Sequence, residues 1–230
     1  MDIEKLVNSK VYIFFDWLWR LFVLNVFTVI SLVGVITAFP GIVACFQSIK
    51  DYKEGTEDAV HKVFFRNFKQ LFLKTVGMGI IIIVTFVILV YAKVYYAELL
   101  KEMYLPEYDY TDAQLLLPTM GNYVVYFCIF LLVLIVNQLP IIYSYFNFRF
   151  FDNFKFALYM AFKFLFQGIL ELIAWALSVV VFFLATPIWF FIGIAFPMYA
   201  TYSISRPTYW YLANSKDVLI HDKNEEKERK

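Results

Sequence analysis

Long apolar runs separated by short polar stretches dominate the chain. Residues 75–97, 120–146, 164–184 and 188–204 each approach or exceed the length at which an apolar helix crosses a bilayer. The 39 residues from Val11 to Ile49 are too long for one upright span, so they predict two short spans joined by residues 31–37. The pattern predicts an all-α, polytopic membrane helix bundle with six transmembrane segments. The alternative has five, with one span near residues 17–38 followed by an interfacial piece.

Composition supports a membrane protein and narrows its chemistry. Apolar residues make up 62% of the chain and charged residues 17%, against about 25% charged in soluble domains. The net charge of +1 gives no basic surface for nucleic acid. Two cysteines in apolar runs and two distant histidines predict neither a disulfide framework nor a metal site. The bilayer is the expected partner, and no cofactor is expected.

The basic residues orient the predicted spans. With six spans, 18 of the 20 Lys and Arg residues fall on one side, and Lys93 and Lys101 fall on the other. The positive-inside tendency makes the first side cytoplasmic. Both termini are then cytoplasmic, residues 1–205 form the bundle, and residues 206–230 form a tail. The expected location is a cell membrane, crossed several times.

A repeated aromatic-basic motif, Phe-Phe-x-Asn-Phe-Lys, follows the second and fourth predicted spans. The copies begin at Phe64 and Phe150 and agree at five of six positions. One interpretation is a pair of cytoplasmic loops that dock a partner, since aromatic residues and Arg are enriched at interface hot spots. The other is anchoring at the bilayer boundary, with Phe buried and the basic groups reaching the headgroups. The candidate docking residues are Phe64, Phe65, Arg66, Phe68, Lys69, Phe150, Phe151, Phe154 and Lys155.

Four polar residues lie inside or near predicted spans: Arg20, Asn25, Asn137 and Glu171. Ionisable groups at membrane depth are costly and commonly mark functional sites. One hypothesis pairs Arg20 with Glu171 or places both along a polar path. The alternative is a structural role near the cytoplasmic boundary.

The polar stretch 98–119 carries Tyr and carboxylate side chains that are able to contact sugars, but a surface loop with interfacial Tyr is the favoured interpretation. No phosphate-binding loop, catalytic triad or metal-ligand spacing is present in the sequence. We therefore expect no catalytic residues and a protein that is not an enzyme.

Three segments resemble the YesL-like bacterial membrane proteins, a family of unknown function. They are residues 17–25 (WLWRLFVLN), the turn from Thr37 to Pro40-Gly41, and residues 64–70 (FFRNFKQ). The resemblance implies a genetic context of sugar-import ABC transporters and polysaccharide-degrading enzymes, and it transfers no catalytic residues. It favours a non-enzymatic accessory protein that assembles with or regulates a carbohydrate (oligosaccharide) ABC importer through its permease subunits. The alternative is a stand-alone small-solute transporter or channel, and a membrane enzyme ranks third.

Overall fold

A computed structural model describes residues 10–104 and 110–214, and regular structure within these ranges is helical throughout. The helices are α1 (Lys10–Val33), α2 (Val35–Lys53), α3 (Val60–Met103), α4 (Asp112–Tyr145), α5 (Phe150–Lys163), α6 (Leu165–Leu184), α7 (Thr186–Ile192) and α8 (Ala195–Ala213). The all-α prediction is confirmed for the described residues.

Four of these helices are long and apolar enough to cross a membrane: α1, α3, α4 and α6. The bent pair α7–α8, with an angle of 51° between its parts, makes a fifth if it is one span. Apolar side chains project outward along these helices, as at Val87, Ile88 and Phe183. An exposed apolar surface of this extent fits contact with lipid. The chain is therefore a helical membrane protein with four or five candidate spans.

Helix α2 is the predicted span that falls outside this group, because its last turns carry Lys50, Asp51 and Lys53. It lies at the centre of the bundle, where it contacts α1, α3, α4 and α8. Val43, Ala44, Cys45 and Ile49 on this helix are fully buried. The lysines at its end form hydrogen bonds to other helices: Lys50 Nζ donates to the carbonyl of Ser144 on α4, and Lys53 Nζ donates to the hydroxyl of Tyr199 on α8. Helix α2 therefore joins elements distant in sequence.

The joint between α1 and α2 is tighter than predicted. Only Gly34 separates the two helices, so Pro40 lies inside α2 rather than at its first turn. Thr37 Oγ1 donates to the carbonyls of Ser31 and Gly34, which fastens the joint. A Cβ placed on Gly41 would overlap the Ser31 side chain. The Gly41 position therefore requires glycine because the two helices approach each other closely there.

The last helices also differ from the sequence prediction. The span predicted to begin at residue 188 begins at Thr186 as α7, and the Thr186 hydroxyl donates to the carbonyl of Phe182 on α6. Helix α8 continues to Ala213, past the predicted start of the tail at residue 206. Tyr209 is fully buried, so this part of the predicted tail packs with the bundle. The remainder of the predicted tail, residues 215–230, lies outside the described residues.

Candidate functional site

The break between α7 and α8 is closed by a side chain from α1. Asn25 Nδ2 donates to the carbonyl of Phe190 at 2.7 Å and more weakly to that of Trp189 at 3.4 Å. Asn25 Oδ1 accepts from the backbone N–H groups of Ile194 and Ala195, at 2.7 and 3.0 Å. A helix break leaves backbone donors and acceptors without partners. One fully buried amide supplies both kinds of partner here.

Pro197 explains why the helix breaks where it does. A proline has no N–H to offer the carbonyl four residues earlier, and its ring crowds that carbonyl. The carbonyl in question belongs to Gly193, the last residue before the break. It accepts a hydrogen bond from the Ser178 hydroxyl on α6 instead. Pro197 is therefore accompanied by a kink, and the bend itself falls about one turn earlier.

Glu171 lies fully buried in α6, and its carboxylate is surrounded by neutral donors. Asn137 Nδ2 and Gln138 Nε2 donate to Oε2 at 2.6 and 2.9 Å. Gln167 Nε2 donates to Oε1 at 3.1 Å, and the Ser205 hydroxyl lies at 2.5 Å from the same oxygen. The donors come from α4, α6 and α8. The carboxylate thus links three helices through hydrogen bonds rather than through an ion pair.

A second set of contacts orients these donors. Trp175 Nε1 donates to Asn137 Oδ1 at 3.0 Å, and because an indole can only donate, this contact turns the Asn137 NH₂ group towards Glu171. The hydroxyls of Tyr209 and Thr208 donate to the side-chain oxygens of Gln138 and Gln167 in the same way. The network is closed around the carboxylate, and a fully satisfied network of this kind rigidifies a core.

An apolar cavity of about 510 Å³ lies beside this network. Residues of α2, α3, α4, α6 and α8 line it, and Asn137 and Thr201 are the polar ones among them. The Thr201 hydroxyl is buried and makes no hydrogen bond to any residue that the structure describes. The cavity therefore offers mostly apolar contact, with a hydroxyl and an amide at its wall.

The structure does not bring Arg20 to Glu171, so the predicted pairing is wrong. Arg20 Nε forms an ion pair with Asp16 at 2.7 Å, one turn earlier on α1. Its guanidinium lies 4.3 Å from the centre of the Tyr52 ring. Asp16 is available because it lies on the same face of α1 as Arg20. Tyr52 lies at the end of α2. The proposed polar path between Arg20 and Glu171 loses its first member.

Both copies of the repeated motif are helical, so the prediction that they form loops is wrong. The first copy lies in the first turns of α3, and the second begins α5. In each copy the asparagine is buried and the second phenylalanine is exposed. Asn67 Nδ2 donates to Asp51 Oδ2 and Ser48 Oγ on α2, at 2.9 and 3.1 Å. Asn153 Nδ2 donates to the carbonyls of Phe148 and Arg149, both at 3.3 Å.

The outward half of the motif is similar in the two copies. Phe65 is 54% exposed and Phe151 72% exposed, and Lys69 and Lys155 are exposed as well. Among the other candidate docking residues, Phe154 is exposed, Phe68 and Phe150 are half-buried, and Phe64 is buried. Arg66 forms ion pairs with Asp58 and Asp51 at 3.1 and 3.7 Å. The exposed members, not the whole motif, remain available to a partner.

The sequence interpretation missed several members of the Glu171 network: Gln138, Gln167, Trp175, Ser205, Thr208 and Tyr209. The adjacent pair Asn137-Gln138 is a usable signal, since two amides within an apolar run need buried partners. The others lie in ordinary helical positions, and their convergence depends on how α4, α6 and α8 pack.

Comparison with known proteins gives one match. No curated protein and no solved structure matches the chain. Residues 13–92 match the model of a family described as a protein of unknown function, DUF624. This segment contains most of α1, all of α2 and most of α3, including Asn25 and the first copy of the motif. DUF624 is the YesL-like family, so the resemblance predicted from the sequence motifs is confirmed over residues 13–92.

Proposed function

We propose that this chain is a non-enzymatic accessory protein of a bacterial cell membrane that assembles with the permease subunits of a carbohydrate ABC importer. The observation that supports assembly is that each copy of the repeated motif has one buried side that the fold uses and one exposed side that it does not. In each copy the asparagine is used by the chain's own fold, whereas Phe65 or Phe151 and the following lysine face outward. The carbohydrate importer itself comes from the family resemblance, which is an associational argument.

The exposed half of the motif has the chemistry of a docking anchor. Phe151 is the clearer case, because it is the more exposed of the two rings and packs against its chain neighbour Phe150. Phe65 also packs its ring against Phe27, with 5.1 Å between ring centroids, so it is more strongly held. A rigid aromatic group beside a lysine fits a pocket rimmed by carboxylates, and such anchors dominate interface energetics. Two similar anchors on one protein fit a partner made of two related permease subunits.

The proposal includes six spans with both termini cytoplasmic, so that both motif copies face the cytoplasm. In that topology α2 crosses the membrane inside the bundle, shielded from lipid by its neighbours. Its 19 residues extend about 28 Å at 1.5 Å per residue, close to the hydrocarbon thickness. Single cysteines at residues 34 and 104 should react with a membrane-impermeant reagent added outside intact cells, and single cysteines at residues 57 and 148 should not. Labelling of residue 57 from outside would refute the six-span topology.

Copurification from native membranes tests the assembly. The wild-type chain should recover permease subunits of a sugar importer, and Phe65→Ala combined with Phe151→Ala should lower their recovery about tenfold, the loss expected for anchors worth about 1.4 kcal/mol. Phe183→Ala is the matched control, because Phe183 is 78% exposed on α6 and lies outside the motif. Recovery of the chain without permease subunits, or an equal effect of the control, would contradict the proposal.

The second candidate function, a stand-alone small-solute transporter, has its own supporting observation. Ser205 Oγ lies 2.5 Å from Glu171 Oε1 and 2.7 Å from the carbonyl of Thr201. When Glu171 is ionised, the hydroxyl proton of Ser205 is donated to the carboxylate. When Glu171 is protonated, the carboxyl group donates to Ser205 and Ser205 donates to Thr201. The site therefore accommodates both protonation states beside the apolar cavity, as coupled transport requires.

Flux measurements separate the two candidates. The purified chain, reconstituted alone in liposomes, should carry solute in response to a proton gradient only if it is a transporter. Glu171→Gln should then abolish the coupling, and Asp152→Asn, which changes a carboxylate at the protein surface on α5, should not. Absence of flux from the wild-type chain, together with copurifying permease subunits, would favour the accessory function.

A further inference from the structure

A cavity of about 300 Å³ lies between α3, the end of α4 and the start of α5. Its polar lining consists of Lys74, Tyr143, Asn147 and Asn153. It is separate from the Glu171 network and from the outward half of the motif.

Asn153 carries a buried acceptor that no group in residues 10–104 and 110–214 satisfies. The side chain is 2% exposed, and its Oδ1 accepts no hydrogen bond from this part of the chain. The amide has no freedom to turn over, because its Nδ2 donates to two carbonyls, those of Phe148 and Arg149, and exchange would place oxygen against both. An unpaired buried acceptor is costly and calls for a partner. The partner must be a hydrogen-bond donor.

Two further groups at the same cavity are donors. The Tyr143 hydroxyl is buried next to the Asn153 side chain, and its proton has no acceptor among the residues that the structure describes. Lys74 Nζ donates to Asn147 Oδ1 at 3.1 Å, and an ammonium group has three protons, so two remain free for another acceptor. A positive charge and a phenolic hydroxyl together suit a phosphate group.

The cavity also lies where a lipid headgroup would lie. Lys74 is the last charged residue of α3 before the apolar stretch that begins at Thr75. Leu73, also in the lining, is 83% exposed. Lysines at such boundaries commonly reach headgroups. A ligand in this place would have its polar end in the cavity and its apolar end against the outer surface of the bundle.

We propose that this cavity binds the headgroup of a phospholipid, with the phosphate at Lys74 and Tyr143 and a hydroxyl or ammonium group of the headgroup donating to Asn153. The shared chemistry is that of a phosphate ester that carries a hydrogen-bond donor. Phosphatidylglycerol and phosphatidylethanolamine meet this requirement. Phosphatidylcholine does not, because its methylated ammonium has no proton to donate.

Native mass spectrometry of the delipidated full-length chain in detergent tests the proposal with defined lipids. Phosphatidylglycerol should bind about tenfold more tightly than phosphatidylcholine of the same chain length, because one hydrogen bond to a buried acceptor is at stake. Glycerol phosphate, which has the phosphate and hydroxyls but no acyl chain, is the soluble arm. Binding of glycerol phosphate as tight as that of the lipid would overturn the lipid assignment in favour of a free phosphate ester.

Two substitutions probe the donors with little risk to the fold. Tyr143→Phe removes a hydroxyl whose proton has no acceptor among the described residues, and Lys74→Gln removes the charge. Each should weaken phosphatidylglycerol binding about tenfold. Tyr202→Phe and Lys69→Gln are the matched controls. Tyr202 also has a buried hydroxyl whose proton has no acceptor in the described part of the chain, and it lies outside this cavity. Lys69 lies on α3 outside the cavity lining. Equal binding of both lipids, or equal loss in the controls, would overturn the proposal.

Discussion

Asn25 provides the sharpest test of how the broken helix is held, through its replacement by leucine. Leucine keeps a similar side-chain size and removes both the amide donor and the amide acceptor. Three short hydrogen bonds are lost, to the carbonyl of Phe190 and from the N–H groups of Ile194 and Ala195, with lengths of 2.7 to 3.0 Å. The two N–H groups belong to the first turn of α8, and Asn25 is fully buried, so water has poor access to them.

Two estimates give the expected loss of stability. Hydrogen bonds between side chains in membrane helix bundles average about 0.6 kcal/mol each, which gives about 2 kcal/mol for three. Buried backbone groups left without partners cost about 1–3 kcal/mol each, which gives about 6 kcal/mol at the middle of that range. We therefore expect Asn25→Leu to lower the free energy of unfolding by about 2–6 kcal/mol.

Equilibrium unfolding in mixed micelles of mild detergent and dodecyl sulfate measures this change. Asn122→Leu is the control, because Asn122 also accepts a hydrogen bond, from Lys93 at 2.9 Å, but bonds to a side chain rather than to broken backbone. The control should lose no more than about 1 kcal/mol. A loss below about 0.5 kcal/mol for Asn25→Leu would refute the claim that this amide supports the break.

Three other predictions follow from the packing. Glu171→Gln places an NH₂ group against donors that now point at a carboxylate, so the melting temperature should fall; Glu171→Asp, which keeps two acceptors but shortens the side chain, should lose less. Gly41→Ala should reduce the yield of folded protein because its Cβ overlaps Ser31, and adding Ser31→Gly should restore part of the yield measured by gel filtration. Asn67→Asp sets its carboxylate about 3 Å from that of Asp51 and should lower the free energy of unfolding by about 2 kcal/mol. Adding Asp51→Asn reverses the hydrogen bond, with residue 51 as donor and residue 67 as acceptor, and should recover part of the stability in a thermal melt.

The membrane helices were predictable from the sequence because hydropathy acts locally. A bilayer offers no partner for backbone polar groups, so an apolar run of sufficient length has to be helical. Residues 164–184 illustrate this, since α6 occupies Leu165–Leu184. The joint at Gly34, which falls within the predicted connection 31–37, and the bend about one turn before Pro197 also follow from local chemistry. The match of residues 13–92 to a family model agrees with the motifs that suggested it.

The candidate sites were only partly predictable because they depend on contacts between distant segments. Asn25 and Asn137 were singled out as polar residues in apolar runs, but their partners lie 169 and 34 residues away along the chain. Arg20 shows the opposite error: opposite charges in the sequence suggested Glu171, while a neighbour one turn away on the same helix, Asp16, was the partner. Intramembrane polarity identifies which residues need partners, and it does not identify the partners.

The sequence by itself determined that this is a helical membrane protein, where most of its helices run, and which residues resist burial in lipid. The physical reason is that burial of apolar groups and the need to pair backbone groups act on each segment separately. Only the tertiary structure decided that α2 lies in the centre of the bundle, that Glu171 is held by neutral donors from three helices, and that Asn153 faces a cavity with its oxygen unpaired. These features arise from packing between helices, where the geometry of close approach selects among many partners of similar chemistry.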